Sequence, residues 1–244
     1  MVSSNDVVVY EKRDGIAWLT LNRPAAYNAI DLEARDRLWA LLEVIAVDDE
    51  AGVVIFRGAG DRAFSSGADL TDFGTSPSYT EARRARRERD LWERIAFYEK
   101  PLIAAVHGYA LGAGCELSLY CDFRIASEDA RFGLPEVSLG YLPSAGGTQT
   151  AARLLGLGRG LDLVCSGQPI DAQRALEWGL VQQVVPGDQL DAAAETLAKR
   201  LLAQPAAALR AAKAAITRGL DLRLDDGLEL EAALRLRLAA GQLS

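Results

Sequence analysis

Between Val7 and Pro186, short apolar runs are repeatedly followed by glycine-bearing loops and helical stretches, and this alternation constrains the fold more than any other feature. Val7 to Tyr10 and Ile16 to Leu21 are β-rich and separated by a turn ending in Asp14-Gly15, which predicts a hairpin. Asp31 can cap a helix in which Leu38, Leu41, Leu42 and Ile45 recur at i, i+3, i+4 and i+7, one buried face. Val53 to Phe56 reads as a buried strand. A long stretch punctuated by Gly58, Gly60, Gly67 and Gly74 follows, and loops of that length inside a compact domain are usually functional. Residues 79–98 read as a helix with Leu91, Ile95 and Tyr98 on one stripe, ended by Pro101. Leu102 to Val106 is a second buried strand. The glycine-broken turn from His107 leads into a helix over Ala113 to Cys121, and Phe123 to Ala126 is a strand again. From Leu190 the periodicity is almost purely helical. The expected organisation is an α/β core over residues 1–188 and a helical region over 189–244.

Composition narrows the function classes. With 244 residues, half of them hydrophobic and a quarter charged, the chain can bury a large core. A formal charge of −7 argues against a broad nucleic-acid-binding surface. Cys115, Cys121 and Cys165 form no CxxC pair, and with the single histidine, His107, they make no recognisable zinc set. An odd number of cysteines also fits a reducing compartment. The N-terminal MVSSNDVVVYEKRDG lacks a secretory apolar core and an Arg/Ser-rich transit helix, and no apolar run is long enough to span a bilayer. A soluble cytoplasmic protein with no metal, no membrane and no nucleic-acid partner is expected.

Four segments can carry chemistry. Ala63-Phe-Ser-Ser-Gly-Ala-Asp-Leu70 places small side chains in the long loop, where a ligand can approach backbone N–H groups. Gly112-Ala-Gly-Cys-Glu116 is a glycine turn at a predicted helix N-terminus, whose unpaired N–H groups favour an anion. One backbone donor from each segment would make an oxyanion hole for a developing enolate. Glu116 lies in the first turn of that helix. Glu136 follows Pro135 between Phe132-Gly-Leu and the glycine-bearing Gly140-Tyr-Leu-Pro-Ser-Ala-Gly-Gly147. Paired carboxylates move protons where burial and mutual repulsion keep one of them protonated near neutral pH.

The ordered set LNRPAAYNAI (21–30), AFSSGADL (63–70), HGYALGAGCELSLYCDFRIA (107–126), FGLPEVSLGYLPSAGGTQ (132–149) and SGQPIDAQRALEWGLVQQVVP (166–186) closely resembles the crotonase superfamily, the enoyl-CoA hydratase/isomerase family. The resemblance implies a spiral of repeated ββα units with a C-terminal helical region for trimerisation. It implies an acyl-CoA substrate, with coenzyme A part of the substrate and no separate cofactor, and assembly as a homotrimer or hexamer. By the same resemblance the thioester carbonyl lies between the backbone N–H groups of Ala68 and Ala113. Many relatives have glycine at the position of Ala113, so alanine serves there if its φ is negative.

Hydratases of the family use two glutamates, which match Glu116 and Glu136. The implied reaction is reversible syn addition of water to a 2-enoyl-CoA, giving a 3-hydroxyacyl-CoA. Ser66, Gly67, Asp69, Leu70, Gly112 and Ser144 are the expected substrate-binding neighbours. Ser144 stands where short-chain hydratases typically carry glycine; it reads either as a hydroxyl contact to a polar acyl group or as a tolerated small residue that leaves the loop's N–H unaffected. By the resemblance, relatives continue beyond the point matching Leu238 with a segment that covers the coenzyme, often that of a neighbouring subunit, so contacts with the adenine end are expected to be weaker here or supplied differently.

Other residues have plainer readings. His107 is expected to be structural, Asp69 to fix its loop through Asx-type backbone bonds, Asp122 to support the helix end, and Cys115 to pack. Arg83, Arg84, Arg86, Arg87 and Arg89 interleave with Glu81, Glu88 and Asp90, as a solvated, salt-bridged helix face does. Two competing functions stand beside the hydratase. One is another crotonase-type reaction, either isomerisation or hydration of a branched, cyclic or functionalised acyl-CoA. The other is a non-catalytic acyl-CoA- or RNA-binding relative.

Overall fold

A computed structural model describes residues 6–69 and 89–242. The chain opens with the antiparallel hairpin β1 (Val8–Arg13) and β2 (Ile16–Leu21). Asp14 and Gly15 both have positive φ, 51° and 77°, the twist that a two-residue hairpin turn demands. Helix α1 (Leu32–Ala46) follows, capped by the Asp31 carboxylate, which accepts from the Ala34 N–H at 2.7 Å. Its buried face is Ala34, Leu38, Leu41, Leu42 and Ile45, the stripe expected from the periodicity.

The chain then alternates between two sheets. β3 (Val53–Gly58), β5 (Leu102–Val106), β7 (Phe123–Ser127) and β10 (Gln183–Val185) extend β2 in parallel, giving a six-stranded sheet of order β1-β2-β3-β5-β7-β10. The strand after each of the first three crosses to a smaller sheet of order β4-β6-β8-β9, made of β4 (Ala63–Ser65), β6 (Tyr109–Leu111), β8 (Arg131–Gly133) and β9 (Ile170–Asp171). Helices complete the turns: α2 (Leu91–Ala96) before β5, α3 (Ala113–Tyr120) after β6, and α4 (Gly147–Leu155) with α5 (Leu157–Ser166) after β8. This is the expected α/β spiral of ββα units. The three-residue strands of the smaller sheet lie inside what read as glycine loops, because so short a strand shows no alternation.

Of the helix expected over residues 79–98, only the end lies within the described residues, as α2. Leu91, Ile95 and Tyr98 are buried together there. Helix α6 (Ala172–Trp178) precedes β10, and α7 (Leu190–Leu202), α8 (Ala206–Gly219) and α9 (Leu224–Ala239) close the chain. Leu190, Ala194 and Ala198 of α7 pack with Ile16, Trp18, Val53, Ile55, Ile103, Ala105 and Ile125, covering one face of the large sheet. By packing, α7 is therefore part of the core, although the helical periodicity begins with it. Helix α8 buries none of its residues and α9 buries only Leu234. Lys213 of α8 reaches the Asp122 carboxylate at 2.7 Å and the Lys100 carbonyl at 2.9 Å. Asp122 also accepts from the Leu102 N–H at 2.7 Å, so its role is to tie α8 to the sheet. Among the described residues, no helix is long and apolar enough to cross a membrane.

Candidate active site

Helix α3 organises the site. Its C-terminal end is held by Arg124, a buried guanidinium that donates to the carbonyls of Ser118, Cys121 and Leu180. A cation there complements the exposed carbonyls and the negative end of the dipole. At the other end Gly112 adopts φ +49°, a conformation that glycine reaches without strain. The next residue, Ala113, is absent from the positive-φ positions and opens the helix in ordinary geometry. The left-handed residue is thus Gly112, and alanine fits at 113. The Ala113 N–H, in the first turn, has no acceptor within its own helix.

The segment carrying Ala68 runs beside this helix start. Ile30 pairs with it in a parallel bridge, donating to the Gly67 carbonyl at 2.8 Å and accepting from the Asp69 N–H at 3.1 Å. Alternate residues of an extended chain direct their amides to opposite sides, so the Ala68 N–H points away from Ile30. Leu111, Gly112 and Ala113 lie against Gly67, the residue before Ala68. A methyl group at Gly67 (φ +105°) would stand 2.8 Å from the Leu111 carbonyl oxygen and 3.3 Å from the Ala113 nitrogen. Glycine at 67 is what lets the two backbones come this close. Gly67 is buried whereas Ala68 and Ser66 are exposed, and the Ser66 N–H donates to the Tyr27 carbonyl. Leu70 lies outside the described residues.

Two carboxyl groups meet at the same end of α3. Glu116, 2% exposed, accepts through Oε1 from the backbone N–H groups of Ala145 (2.9 Å) and Gly147 (2.7 Å). Burial raises its pKa up to about 7, although those two donors favour the ionised form; the charge of Glu136 adds a smaller upward push. Glu136 sits in a 3₁₀ turn, Pro135–Leu139, and is also buried. Its Oε1 lies against Gly112, where a Cβ would come within 3.1 Å, and its Oε2 is buried with no hydrogen-bond partner among the described residues. Burial raises its pKa too. Ser144 is exposed on the strap from Gly140 to Gly147 that links the two glutamates. Tyr141 begins that strap, donating its N–H to the Glu136 carbonyl at 3.2 Å. Two carboxyls buried this close together can share a proton, and backbone N–H groups beside them can receive a developing anion.

The family model described as enoyl-CoA hydratase/isomerase matches residues 11–240. The chain belongs to the enoyl-CoA hydratase/isomerase family. It is 41% identical over 233 residues to the 2,3-dehydroadipyl-CoA hydratase of Escherichia coli, a match covering 96% of this chain and 90% of that one. It is 38% identical over 224 residues to the short-chain-enoyl-CoA hydratase of Clostridium acetobutylicum, covering 92% and 86%. Among solved structures, an enoyl-CoA hydratase subunit from Geobacillus kaustophilus superposes with a TM-score of 0.91 at 33% identity, covering 98% of this chain and 91% of that one.

Within this family fold the structure brings Ala68, Gly67, Gly112, Ala113, Glu116 and Glu136 together, with Ser66 and Ser144 at the exposed rim. The Asp69 carboxylate is paired with Arg23 at 2.9 Å, an ion pair across 46 positions of chain that no local pattern signals. Asn28, likewise assigned no role from sequence, is buried and donates to the carbonyls of Ala59 (2.9 Å) and Ala63 (2.7 Å). Cys115 is buried in the core, and burial raises its thiol pKa. His107 has a buried Nε2 without a partner among the described residues, and burial lowers its pKa. Of the arginine cluster only Arg89 is described, 3.7 Å from Asp36; Arg83, Arg84, Arg86 and Arg87 lie outside the described residues.

Proposed function

We propose that this protein is an enoyl-CoA hydratase in which Glu116 and Glu136 are the catalytic carboxyls and the amides of Ala68 and Ala113 form the oxyanion hole. The observation that carries this reading is the burial of both glutamates at the start of α3, where Gly67, the residue before Ala68, packs against Gly112 and Ala113. The thioester oxygen of a 2-enoyl-CoA accepts from both N–H groups. Glu116, ionised, holds the water and takes one of its protons as the oxygen bonds to the β-carbon. The π electrons move toward the α-carbon and carbonyl, and the amides stabilise the enolate-like oxygen. Glu136, protonated, delivers its proton to the α-carbon on the same face, giving the 3-hydroxyacyl-CoA. Proton exchange through solvent then resets the pair.

A polar acyl end is favoured by two hydroxyls at the rim. Ser144 is exposed on the strap, and Tyr141, whose pKa is raised by burial and then by the charges of Glu136 and Glu116, stands near both carboxyls. A relative acting on 2,3-dehydroadipyl-CoA is consistent with that. The subunits assemble as a homotrimer or a pair of trimers through the exposed faces of α8 and α9, in the cytoplasm. The test follows loss of absorbance of the conjugated enoyl thioester over acyl groups of increasing length and polarity, in the wild type and in Glu116→Gln and Glu136→Gln. Each substitution is expected to cut kcat by about 10²- to 10⁴-fold. Hydration left intact by either one sinks the mechanism.

A further inference from the structure

We infer that Arg23 is a positioning residue for the Ala68 amide, acting through Asp69, an inference that rests on the oxyanion-hole reading above. One guanidinium joins three acceptors. It donates to the Ala29 carbonyl at 2.8 Å and pairs with the carboxylates of Asp69 (2.9 Å) and Asp31 (3.1 Å). Its own backbone is fixed by Asn28, whose Oδ1 accepts from the Arg23 N–H at 2.9 Å and whose N–H donates to the Arg23 carbonyl at 2.9 Å. The segment from Arg23 to Asp31 is thus a rigid clamp, and the loop carrying Ala68 is fastened to it repeatedly. Asn28 holds Ala59 and Ala63, Tyr27 holds Ser66, and Ile30 holds Gly67 and Asp69. Arg23 supplies a side-chain tie on the far side of Ala68, so Ala68 is fixed from both directions.

Charge gives the ion pair a second consequence. Asp69 adjoins Ala68, and its carboxylate is only 13% exposed, so an unanswered negative charge there would oppose an oxyanion forming at the Ala68 N–H. Asp31 is already answered by the N-terminus of α1, which it caps. The positive charge of Arg23 lies against the Asp69 carboxylate and offsets that charge. Lysine offers a point charge and cannot satisfy three acceptors set around a planar fork.

The experiment measures kcat, KM and melting temperature for hydration of 2-butenoyl-CoA by wild type, Arg23→Gln, Asp69→Asn and the double variant. In parallel, each protein is saturated with a 4-aminocinnamoyl thioester of coenzyme A, whose absorption moves to longer wavelength as its carbonyl is polarised. Arg57→Gln is the control, since it removes an arginine paired with Glu11 and Asp191 away from the site. Arg23→Gln and Asp69→Asn are expected to lose about 10- to 100-fold in kcat with little change in KM, and to lose most of the red shift. The double variant is expected to be no worse than the poorer single one, because both cut one tie. Arg57→Gln is expected to keep kcat and the red shift. If Arg23→Gln does not fold, Asp69→Asn decides alone. Folded variants that retain kcat and the red shift, or a control that loses them equally, overturn the inference while leaving the hydratase reading intact. A wild type that neither hydrates nor shifts the chromophore overturns both.

Discussion

Glu116 accepts two backbone hydrogen bonds that favour its ionised form, yet its pKa still rises to about 7, because those donors do not replace the water that burial removes. Two predictions follow from this single side chain. In catalysis, the carboxyl pair must carry one proton, so kcat/KM is expected to trace a bell whose ascending limb lies near pH 7; a flat profile from pH 5 to 9 contradicts it. In stability the sign runs the other way. The folded protein keeps a proton between pH 4.5 and about 7 that the unfolded chain has released, so this group lowers stability as pH rises through that window and leaves a constant deficit above it. Glu116→Gln retains an amide oxygen for Ala145 and Gly147 and removes the deficit. It is expected to melt above the wild type at pH 8–9, by up to about 3 kcal/mol, with the advantage fading toward pH 4.5. Equal melting at pH 8.5 would show that Glu116 is not held in this way.

Elements hold these residues in place, and the strap from Gly140 to Gly147 shows how. Gly146 has φ +100°, and a methyl group on it would stand 2.0 Å from the Tyr120 hydroxyl; its neighbours on either side are the two donors to Glu116. Gly146→Ala combines a left-handed strain with overpacking and is expected to cost about 1–3 kcal/mol in denaturant unfolding. It is also expected to lower kcat more than the stability loss explains, because the strap carries both donors; an unchanged kcat would separate strap from catalysis. This is also where legibility ended. The glycines and both glutamates stand out in the sequence because they cluster in short motifs. The bonds from Ala145 and Gly147 to Glu116 span 29 and 31 positions and the Arg23–Asp69 pair spans 46, distances at which no periodicity operates. The long elements α1, β3 and β5 were legible from their apolar spacing. β4, β6 and β8, three residues each, were not, although they position Ala68, Gly112 and Glu136.

At the scale of the molecule, the C-terminal region divides by burial rather than by periodicity. Helices α7, α8 and α9 read alike in sequence, since apolar residues at helical spacing mark a face without saying what covers it. Within one chain α7 covers its own sheet, whereas α8 and α9 leave Ile216, Leu220, Leu224, Leu228 and Leu236 more than half exposed. Apolar surface of that extent on a single chain is a signature of association, and symmetric assembly is the common outcome. The proposed trimer therefore carries a prediction. Light scattering of the wild type at micromolar concentration is expected to give three or six times the chain mass. Leu220→Asp with Leu224→Asp puts two charges on the exposed face, where they cost nothing in the isolated chain and several kcal/mol in a buried interface. The double variant is expected to fall to a smaller species while keeping its circular dichroism, because neither residue packs in the core. A variant that keeps the wild-type mass places the interface elsewhere. A wild type that is monomeric at every concentration leaves these helices without the partner their exposed leucines call for.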